Sequence, residues 1–429
     1  EKLIFEGFGL GRDPGGKSIF VRKAVPEDEL EVEVVKDKKG FSEAIIKNII
    51  QPSKYRTESI CPYFNDCGGC EHQNIGYEDQ LKFKGDIFTE TLKRQGIDCK
   101  IEPIIHGSSE PFYYRNSIRF FFVLDKEKNI TFARHNFQYD KGYVFIDKCY
   151  LQSETCNEIL TQLKNFINQE IQDKSLFWQL KIRDGKFTNE FMIEIITSGE
   201  YLPQQKEIVE VLRSITNIKS IYHTVAPGKS LKGLKRRLIY GSPIIHEKIG
   251  KFIFEISPES FFQTNSLGVM TLYDKIKEFA AIEAGDDVLD LYCGTGTIGI
   301  YLSTLAKNVV GVEIVPEAVR DANDNAKINK IHNCSFINIA AEKIFENPII
   351  HDSKFDILII DPPRAGLSKE IIAKLSVMNC KRLIYTSCNP ATFARDIKIF
   401  ETCGKKLIKV QPIDMFPQTH HIECVGLLQ

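Results

Sequence analysis

The chain has 429 residues, of which 43% are apolar, and its 56 Lys and Arg nearly balance its 57 Asp and Glu. A chain of this length exceeds one compact core and predicts roughly two to four domains. No apolar run is long enough to span a bilayer, so the composition favours a soluble protein over a membrane protein. Because the charges nearly cancel, any site for a polyanion must be a local basic patch.

Cysteine usage indicates a reducing compartment. Twelve cysteines are spread irregularly along the chain, and the first residues lack the charged and apolar regions of a secretion signal. In cytosolic proteins most thiols stay reduced and a few bind metal. We therefore expect a cytoplasmic protein.

Residues 1–55 are predicted to form a small β-barrel of the oligonucleotide-binding kind, because short alternating strands are separated by glycine-rich turns. Aromatic and cationic side chains of this segment are candidates for stacking on and clamping single-stranded RNA: Phe8, Phe20, Phe41, Lys17, Arg22 and Lys23. Phenylalanines in the barrel core and lysines in solvent would give the same pattern.

A short loop carries Cys61, Cys67 and Cys70, with two glycines between the last pair. Such a loop can direct three thiolates at one metal centre, and a fourth ligand must come from elsewhere; Cys149 is our choice. The spacing differs from the paired knuckles of a zinc ribbon. It favours an iron–sulfur cluster over zinc, and both over a loop without metal.

Residues 56–255 are interpreted as a mixed α/β RNA-binding domain. A helix pattern at 76–96 is expected to pack on the C-terminal domain. Cations alternate with aromatics around Arg115 and at 133–136, as in a surface that binds phosphates and bases, although a solvated cationic face over an ordinary core gives the same pattern. The basic run 229–237 supplies a local positive patch.

Residues 256–429 alternate strand and helix patterns, which predicts a Rossmann-like, doubly wound parallel sheet. The first strand, 287–291, leads into a turn with Gly294, where glycine lets the backbone approach a cofactor. The next strand ends at Glu313, in the place where such folds hold a ribose. Asp290 would repel a pyrophosphate, so S-adenosylmethionine is the leading candidate cofactor.

Cys388 follows an apolar run, 383–387, that indicates a buried strand, and a helix pattern begins after Pro390. Ligands bind at this edge of open α/β sheets, and the positive end of the following helix is expected to lower the pKa of the thiol. A lone cysteine is more often a small buried apolar residue. Two motifs predicted at the same edge favour a site: Asp361-Pro362-Pro363-Arg364 and His421-Ile422-Glu423-Cys424.

These motifs give the chain a resemblance to the RNA uracil-5-methyltransferase family. Further matching motifs are Ser260-Phe261-Phe262-Gln263-Thr264-Asn265, Asp290-Leu291-Tyr292-Cys293-Gly294-Thr295-Gly296 and Gly311-Val312-Glu313. Together with the cysteine spacing they cover most of the length. The whole chain resembles the larger bacterial 23S ribosomal RNA members, which add an N-terminal TRAM barrel and a cysteine-bound cluster.

The resemblance implies roles for individual residues. S-adenosylmethionine would contact Gln263, Tyr292, Gly294, Glu313 and Asp361. Cys388 would be the nucleophile and Glu423 the base. A 4Fe-4S cluster would be held by Cys61, Cys67, Cys70 and Cys149. The segment 339–342 departs from relatives, which commonly place Asp or Asn beside the adenine, so the adenine contact is not assigned.

The chemistry explains why these residue types are needed. Carbon 5 of uracil is a poor nucleophile toward a methyl sulfonium, and addition of the Cys388 thiolate to carbon 6 creates an enolate that attacks the methyl group. Glu423 would then remove the proton from carbon 5. Its apolar neighbours favour a buried, functional glutamate over a surface one. The target uracil must be flipped out of a helix or lie in a loop.

The sequence thus predicts an S-adenosylmethionine-dependent methyltransferase that modifies carbon 5 of a specific uridine in RNA. We expect a monomer that acts on 23S ribosomal RNA before full ribosome assembly and has no membrane partner. One alternative is a methyltransferase of uracil 54 in transfer RNA, which shares the catalytic motifs. The other is an iron–sulfur RNA-binding protein without methyl transfer. The N-terminal barrel favours ribosomal RNA by family analogy.

Overall fold

The computed structural model describes residues 1–108, 110–137, 142–230, 232–351 and 353–429. None of the helices described is both long enough and apolar enough to cross a membrane.

The N-terminal segment forms a five-stranded sheet with the order β1-β2-β3-β5-β4. Its strands are β1 (Lys2–Leu3), β2 (Phe8–Arg12), β3 (Ser18–Arg22), β4 (Glu29–Asp37) and β5 (Phe41–Gln51). The ring of Phe20 contacts those of Phe8 and Phe41, with centroids 6.2 and 5.0 Å away. The Lys23 ammonium lies 4.3 Å from the ring centre of Phe64, beside the cysteine loop. Lys23 is therefore half-buried beside the cysteine loop, and its role in clamping RNA stays a prediction.

The chain then crosses to the C-terminal sheet. Its elements here are α1 (Tyr77–Arg94), β6 (Lys100–Ile101) and β7 (Ile105–His106). Helix α1 packs its apolar face on the C-terminal core, where the ring centre of Phe88 lies 6.1 Å from that of Phe393. β6 and β7 pair in parallel with the strand 407–414.

The central part is a seven-stranded sheet with the order β10-β9-β8-β11-β12-β13-β14. Its elements are β8 (Ser117–Leu124), β9 (Ile130–His135), β10 (Tyr143–Phe145), α2 (Glu154–Glu170), β11 (Phe177–Asp184), β12 (Phe191–Thr197), α3 (Gln205–Arg213), β13 (Ile218–Val225) and β14 (Lys235–Gly241). Phe120 and Phe122 point to the face that packs on α2 and α3. Because side chains alternate along a strand, Arg119 and Phe121 point to the opposite face.

The basic run offers less positive charge than its sequence suggests. Lys235 pairs with Glu200 at 2.8 Å, and Arg236 pairs with Glu194 at 2.8 Å. Leu231, in the middle of the run, lies outside the described residues. The predicted patch is thus partly neutralised by carboxylates of the same domain.

The C-terminal part begins with a hairpin and continues as a nine-stranded sheet with the order β19-β18-β17-β20-β21-β23-β22-β6, in which β7 also pairs with β22. Its elements are β15 (Ile245–Ile249), β16 (Phe252–Ile256), α4 (Ser266–Ala280), β17 (Asp287–Leu291), α5 (Thr297–Leu302), β18 (Asn308–Glu313), α6 (Pro316–Ile328), β19 (Cys334–Asn338), α7 (Pro348–His351), β20 (Ile357–Ile360), α8 (Lys369–Ser376), β21 (Arg382–Ser387), α9 (Pro390–Thr402), β22 (Leu407–Asp414) and β23 (Glu423–Leu428).

The predicted doubly wound sheet is confirmed, with one strand reversed. Leu289 and Leu291 of β17 enter the core under α1 and α9, whereas Val288 enters the core under α4. β17 to β21 are parallel, but β23 runs antiparallel between β21 and β22. The reversal brings the first residue of β23 to the end of β21.

Candidate active site

Cys388 and Glu423 lie beside each other at one end of the sheet. Cys388 comes directly after β21, and Glu423 is the first residue of β23. The neighbouring residues Ser387 and Cys424 pair across the two antiparallel strands. The sulfur and the carboxylate are close enough for the negative charge of Glu423 to act on the thiol. The fold thus brings the predicted nucleophile and the predicted base together.

The expectation that the pKa of Cys388 is lowered is wrong. Burial and then the Glu423 carboxylate raise the pKa of Cys388 to about 11. The backbone N–H groups of Ala391 and Thr392, in the first turn of α9, donate to the side chain of Asn389 at 3.0 and 3.4 Å. Asn389 therefore caps the helix, and its side chain accepts from the N–H groups that were predicted to stabilise the Cys388 thiolate.

Arg364 is the cation of this site. Burial and the neighbouring Asp361 carboxylate raise the pKa of Glu423, and the Arg364 guanidinium opposes this rise. Arg364 also acts to lower the pKa of Cys388, against the larger effect of burial. Its exposed side chain reaches to 3.3 Å from Nε2 of His421. The sequence pattern indicated only a rigid turn here, and no signal in it pointed to the charge.

The turn that carries Asp361 and Arg364 is fastened to the same helix that follows Cys388. Thr392 of α9 donates from Oγ1 to the Arg364 carbonyl at 3.2 Å, and Arg395 donates to the Ala365 carbonyl at 2.8 Å. Asp361 accepts a hydrogen bond from Thr386 on β21 at 2.5 Å. The nucleophile and this turn therefore share one rigid support.

The predicted cofactor turn lies at the ends of β17 and β18. The Glu313 carboxylate accepts from the backbone N–H groups of Gly294 at 3.1 Å and Val315 at 2.9 Å. Tyr292 and Gly294 have φ angles of 63° and 53°. A Cβ placed on Gly294 would meet nothing within 4 Å, so open space borders the turn. The structure therefore brings Tyr292, Gly294 and Glu313 together.

Asp290 lies buried behind this turn. One of its oxygens accepts from the Gly299 N–H at 3.1 Å, and the other, Oδ1, has no hydrogen-bond partner among the described residues. Burial and the Asp361 carboxylate raise the pKa of Asp290 to about 8. Asp290, Asp361 and Glu313 thus form a cluster of carboxyl groups, in which a nearby cationic ligand would favour ionisation of Asp290 and a phosphate would oppose it.

Gln263 lies on a loop between the central sheet and the cofactor turn. Its backbone carbonyl accepts from the Asn116 side chain at 2.8 Å. Two residues earlier, the Phe261 carbonyl accepts from the Thr295 hydroxyl at 3.5 Å. The loop therefore runs beside the turn that contains Gly294.

The four predicted metal ligands line one cavity, which they share with two arginines: Cys61, Cys67, Cys70, Cys149, Arg115 and Arg134. Arg115 was predicted to face RNA but instead lines this cavity and donates from Nε to the Ser117 carbonyl at 2.9 Å. Across the ranges that the structure describes, no group of three or more His, Cys, Asp or Glu is arranged so that it could hold a metal ion.

The segment that leads into Glu423 is anchored by the N-terminal half of the chain. The Gln418 carbonyl accepts from the backbone N–H groups of Glu71 and His72 at 2.9 and 3.0 Å. The side chain of Gln80 on α1 also donates to that of Gln418, at 3.0 Å. The loop with the cysteines and the segment before the base therefore form one packed unit.

A buried ion pair joins α1 to the same segment. Lys84 Nζ lies 2.7 Å from Asp414 Oδ1, and both side chains are 0% exposed. Lys84 also donates to the Phe416 carbonyl at 3.2 Å. This pair was missed by the sequence interpretation. The available signal was a lysine on the apolar face of α1, at helical spacing from Leu81 and Phe88.

Similar proteins align with the whole length of the chain. Residues 76–429 match the tRNA (uracil-5-)-methyltransferase family, and residues 1–47 match the TRAM domain. The chain is 38% identical over 444 residues to an uncharacterized RNA methyltransferase of Fusobacterium nucleatum, spanning 100% of this chain and 94% of the relative. It is 35% identical over 441 residues to an uncharacterized RNA methyltransferase of Halalkalibacterium halodurans, spanning 100% of this chain and 95% of the relative.

Among solved structures, it is similar to Pyrococcus abyssi tRNA (uracil-54, C5)-methyltransferase in complex with S-adenosyl-L-homocysteine. The identity is 29% and the TM-score 0.77, over 98% of this chain and 100% of that chain. The resemblance inferred from the motifs is confirmed. The chain belongs to the tRNA (uracil-5-)-methyltransferase family and is an RNA (uracil-5-)-methyltransferase with an N-terminal TRAM domain.

Proposed function

We propose that the protein transfers a methyl group from S-adenosylmethionine to carbon 5 of a uridine in RNA, through a transient bond between Cys388 and carbon 6. The observation that carries this proposal is the adjacency of Cys388 and Glu423 at the sheet end that also holds the cofactor turn. The Pyrococcus relative supports the cofactor, because S-adenosyl-L-homocysteine is S-adenosylmethionine without its methyl group.

The residues at the turn fit S-adenosylmethionine by their chemistry. Open space lies beside Gly294, Glu313 presents a carboxylate suited to a ribose, and buried Asp290 has an unpaired oxygen within the described structure. We assign the cofactor to Gln263, Tyr292, Gly294, Glu313 and Asp361. When bound, it supplies an electrophilic methyl group on a positively charged sulfur.

Cys388 and Arg364 prepare the uracil ring. The Cys388 thiolate adds to carbon 6, which raises the electron density on carbon 5 and divides one difficult step into two easier ones. Because the pKa of Cys388 is raised to about 11, only a small fraction of the thiol is ionised at neutral pH. Arg364 is the neighbouring cation that favours the thiolate.

Glu423 completes the reaction. Once carbon 5 carries the methyl group, its hydrogen must leave as a proton, and the Glu423 carboxylate accepts it. The double bond between carbons 5 and 6 then re-forms and the Cys388 sulfur departs as a thiolate. Because burial raises the pKa of Glu423, its carboxylate is a stronger base than that of an exposed glutamate.

Glu423→Gln is expected to accumulate a covalent protein–RNA adduct. Glutamine keeps the size and polarity of the side chain but cannot accept the proton, so turnover should fall by a factor of about 10² to 10⁴. A denaturing gel of protein, RNA and S-adenosylmethionine will reveal the adduct as a slowly migrating band. Glu370→Gln, on the exposed face of α8, is the matched control. Normal turnover of the Glu423 variant contradicts the base assignment.

We propose 23S ribosomal RNA as the target, by analogy with family members that combine a TRAM barrel with four cysteines. Uracil 54 of transfer RNA is the second candidate. It is favoured by the similarity to the Pyrococcus tRNA methyltransferase. Because that match covers 98% of this chain, the segment 1–47 does not by itself distinguish the two targets. Both RNAs are consistent with a cytoplasmic location, and we expect the enzyme to act as a monomer.

Mass mapping of 5-methyluridine in RNA from cells lacking the protein tests the proposed function. Loss of the modification at a uridine of 23S ribosomal RNA supports the first target. Loss at position 54 of transfer RNA supports the second. Unchanged 5-methyluridine in both RNAs contradicts the proposed function.

We further propose that Cys61, Cys67, Cys70 and Cys149 hold a 4Fe-4S cluster. The support is their shared cavity, in which two arginines can balance the charge of thiolates. In such a cluster each cysteine binds a different iron, so the sulfurs stand further apart than the ligands of one ion. An arrangement that does not suit a single metal ion is therefore compatible with a cluster.

Protein purified without oxygen is expected to be brown, with absorbance at roughly 400 nm, as for thiolate-bound iron–sulfur centres. Cys67→Ser should remove the colour, because it removes one ligand. Cys403→Ser should keep it, because Cys403 is exposed at the end of α9. Colourless wild-type protein with one zinc per chain contradicts the cluster.

A further inference from the structure

Three aromatic rings on neighbouring strands of the central sheet form a cluster that the catalytic site does not use. Phe121 on β8 lies 4.7 Å from His135 on β9 and 5.1 Å from Tyr143 on β10, measured between ring centres. The rings of His135 and Tyr143 are stacked, with centres 5.4 Å apart and planes 21° apart. We call these three residues the aromatic platform.

The platform lies on the face of the sheet away from α2 and α3. Phe121 pairs with Ala133, and Tyr143 pairs with His135, so alternation along the strands puts the three rings on the same face. Tyr143 is 42% exposed and His135 is exposed as well, whereas Phe120, the neighbour of Phe121, is fully buried in the core. The platform therefore presents aromatic surface that is not needed for the core.

A line of cations runs from the platform to the loop that continues to Gln263. Arg119 lies two residues from Phe121 on the same face of β8. Its cross-strand neighbour on β11 is Lys181. Lys181, whose side chain is 16% exposed, donates from Nζ to the Pro258 carbonyl at 2.6 Å. Arg183 is buried and donates to the Ser257 carbonyl at 3.1 Å, so it adds positive charge beneath the surface rather than a direct contact. Both carbonyls belong to the loop that continues to Gln263. The path therefore runs from the platform along β8 and β11 to the edge of the proposed cofactor site.

The charge on this path is positive on balance. Glu194 also lies on this face, where Arg236 pairs with it at 2.8 Å and Lys181 Nζ lies 3.9 Å from it. Glu259 pairs with Arg236 as well, so the four cations Arg119, Lys181, Arg183 and Arg236 outnumber two carboxylates. A cluster of rings with positive charge beside it matches an unpaired RNA strand, since bases stack on rings and phosphates are attracted to positive charge. A double helix would keep its bases inside its own stack and leave the rings without partners.

Resting on the proposed methylation of RNA, we infer that the aromatic platform stacks an unpaired base of the substrate close to the target uridine. Phe121 lies four positions along β8 from Ser117, whose strand partner is Arg183. At about 3.4 Å per residue the platform lies roughly 14 Å from the point where the cations reach the loop. A strand of a few nucleotides spans this distance, so one single-stranded segment can contact both the platform and the loop that continues to Gln263.

Tyr143→Ala is expected to weaken RNA binding by about 5-fold to 150-fold, the range that follows from 1–3 kcal/mol of stacking per base. Binding is measured by fluorescence anisotropy with a labelled oligouridine of about 20 nucleotides, which offers bases without structure. Tyr143→Phe should restore the affinity, because the ring rather than the hydroxyl makes the contact. Tyr201→Ala is the matched control, since Tyr201 is 68% exposed elsewhere on the same domain.

A methylation assay with the same variants tests the platform and the proposed function separately. Its substrate is RNA from cells that lack the protein. For Tyr143→Ala we expect a raised KM for RNA with kcat unchanged at saturation. Unchanged RNA affinity and KM in this variant, with an active wild type, overturn the platform alone. An equal loss in Tyr143→Phe also overturns it, since it indicates a hydroxyl contact. A wild type that methylates no uridine overturns the proposed function.

Discussion

Cys388→Ala is expected to abolish methyl transfer to RNA, with a loss of roughly 10⁴-fold or more, because no other group at this position can add to carbon 6. Binding of S-adenosylmethionine should persist, since the cofactor turn is held by Glu313 and does not depend on the thiol. Incorporation of labelled methyl groups into RNA measures the first quantity, and calorimetry with S-adenosylmethionine measures the second.

Cys403→Ala provides the control for Cys388→Ala. Cys403 is an exposed thiol at the end of α9, the helix that begins two residues after Cys388. We expect this variant to keep wild-type activity. Methyl transfer by Cys388→Ala above the background of heat-inactivated protein would remove the thiol from the reaction.

Lys84→Met is expected to lower the free energy of unfolding by about 3 to 5 kcal/mol, because it leaves the Asp414 carboxylate buried without its partner. Both side chains are 0% exposed and lie 2.7 Å apart. Asp414 ends β22, just before the segment that leads into Glu423. Activity should therefore fall together with stability. Urea unfolding followed by circular dichroism measures the change, as a shift in midpoint.

Two further variants separate the ion pair from a general effect on the helix. Lys93→Met, exposed in the last turn of α1, should stay within about 0.5 kcal/mol of the wild type. The double variant Lys84→Met with Asp414→Leu should be more stable than Lys84→Met alone, since it removes the unpaired charge. Equal stability of Lys84→Met and the wild type contradicts this account.

The doubly wound sheet could be predicted because its signals are local. Buried parallel strands give apolar runs, and the turns after β17 and β21 carry glycine or capping residues that the sequence displays. The reversal of β23 could not be predicted, because its apolar pattern is the same in either direction. That reversal is nevertheless what brings Glu423 to Cys388.

The properties that depend on distant contacts were missed. Lys84 and Asp414 are 330 residues apart in the chain, and periodicity carries no information on such a pair. The pKa of Cys388 was predicted in the wrong direction, because a helix start is visible in sequence but the group that occupies its N–H donors is not. Arg115 follows an alternating pattern whose exposed side cannot be known before the neighbouring cysteine loop is placed.

The transient bond between Cys388 and the uracil ring is tested most directly by peptide mass spectrometry after incubation with S-adenosylmethionine and RNA that carries 5-fluorouridine. Fluorine on carbon 5 cannot be removed as a proton, so the reaction should stop at the adduct. We expect a methylated fluorouridine attached to the peptide that contains Cys388. An adduct on a different cysteine, or full methylation of natural RNA without any trapped adduct, would contradict the central claim.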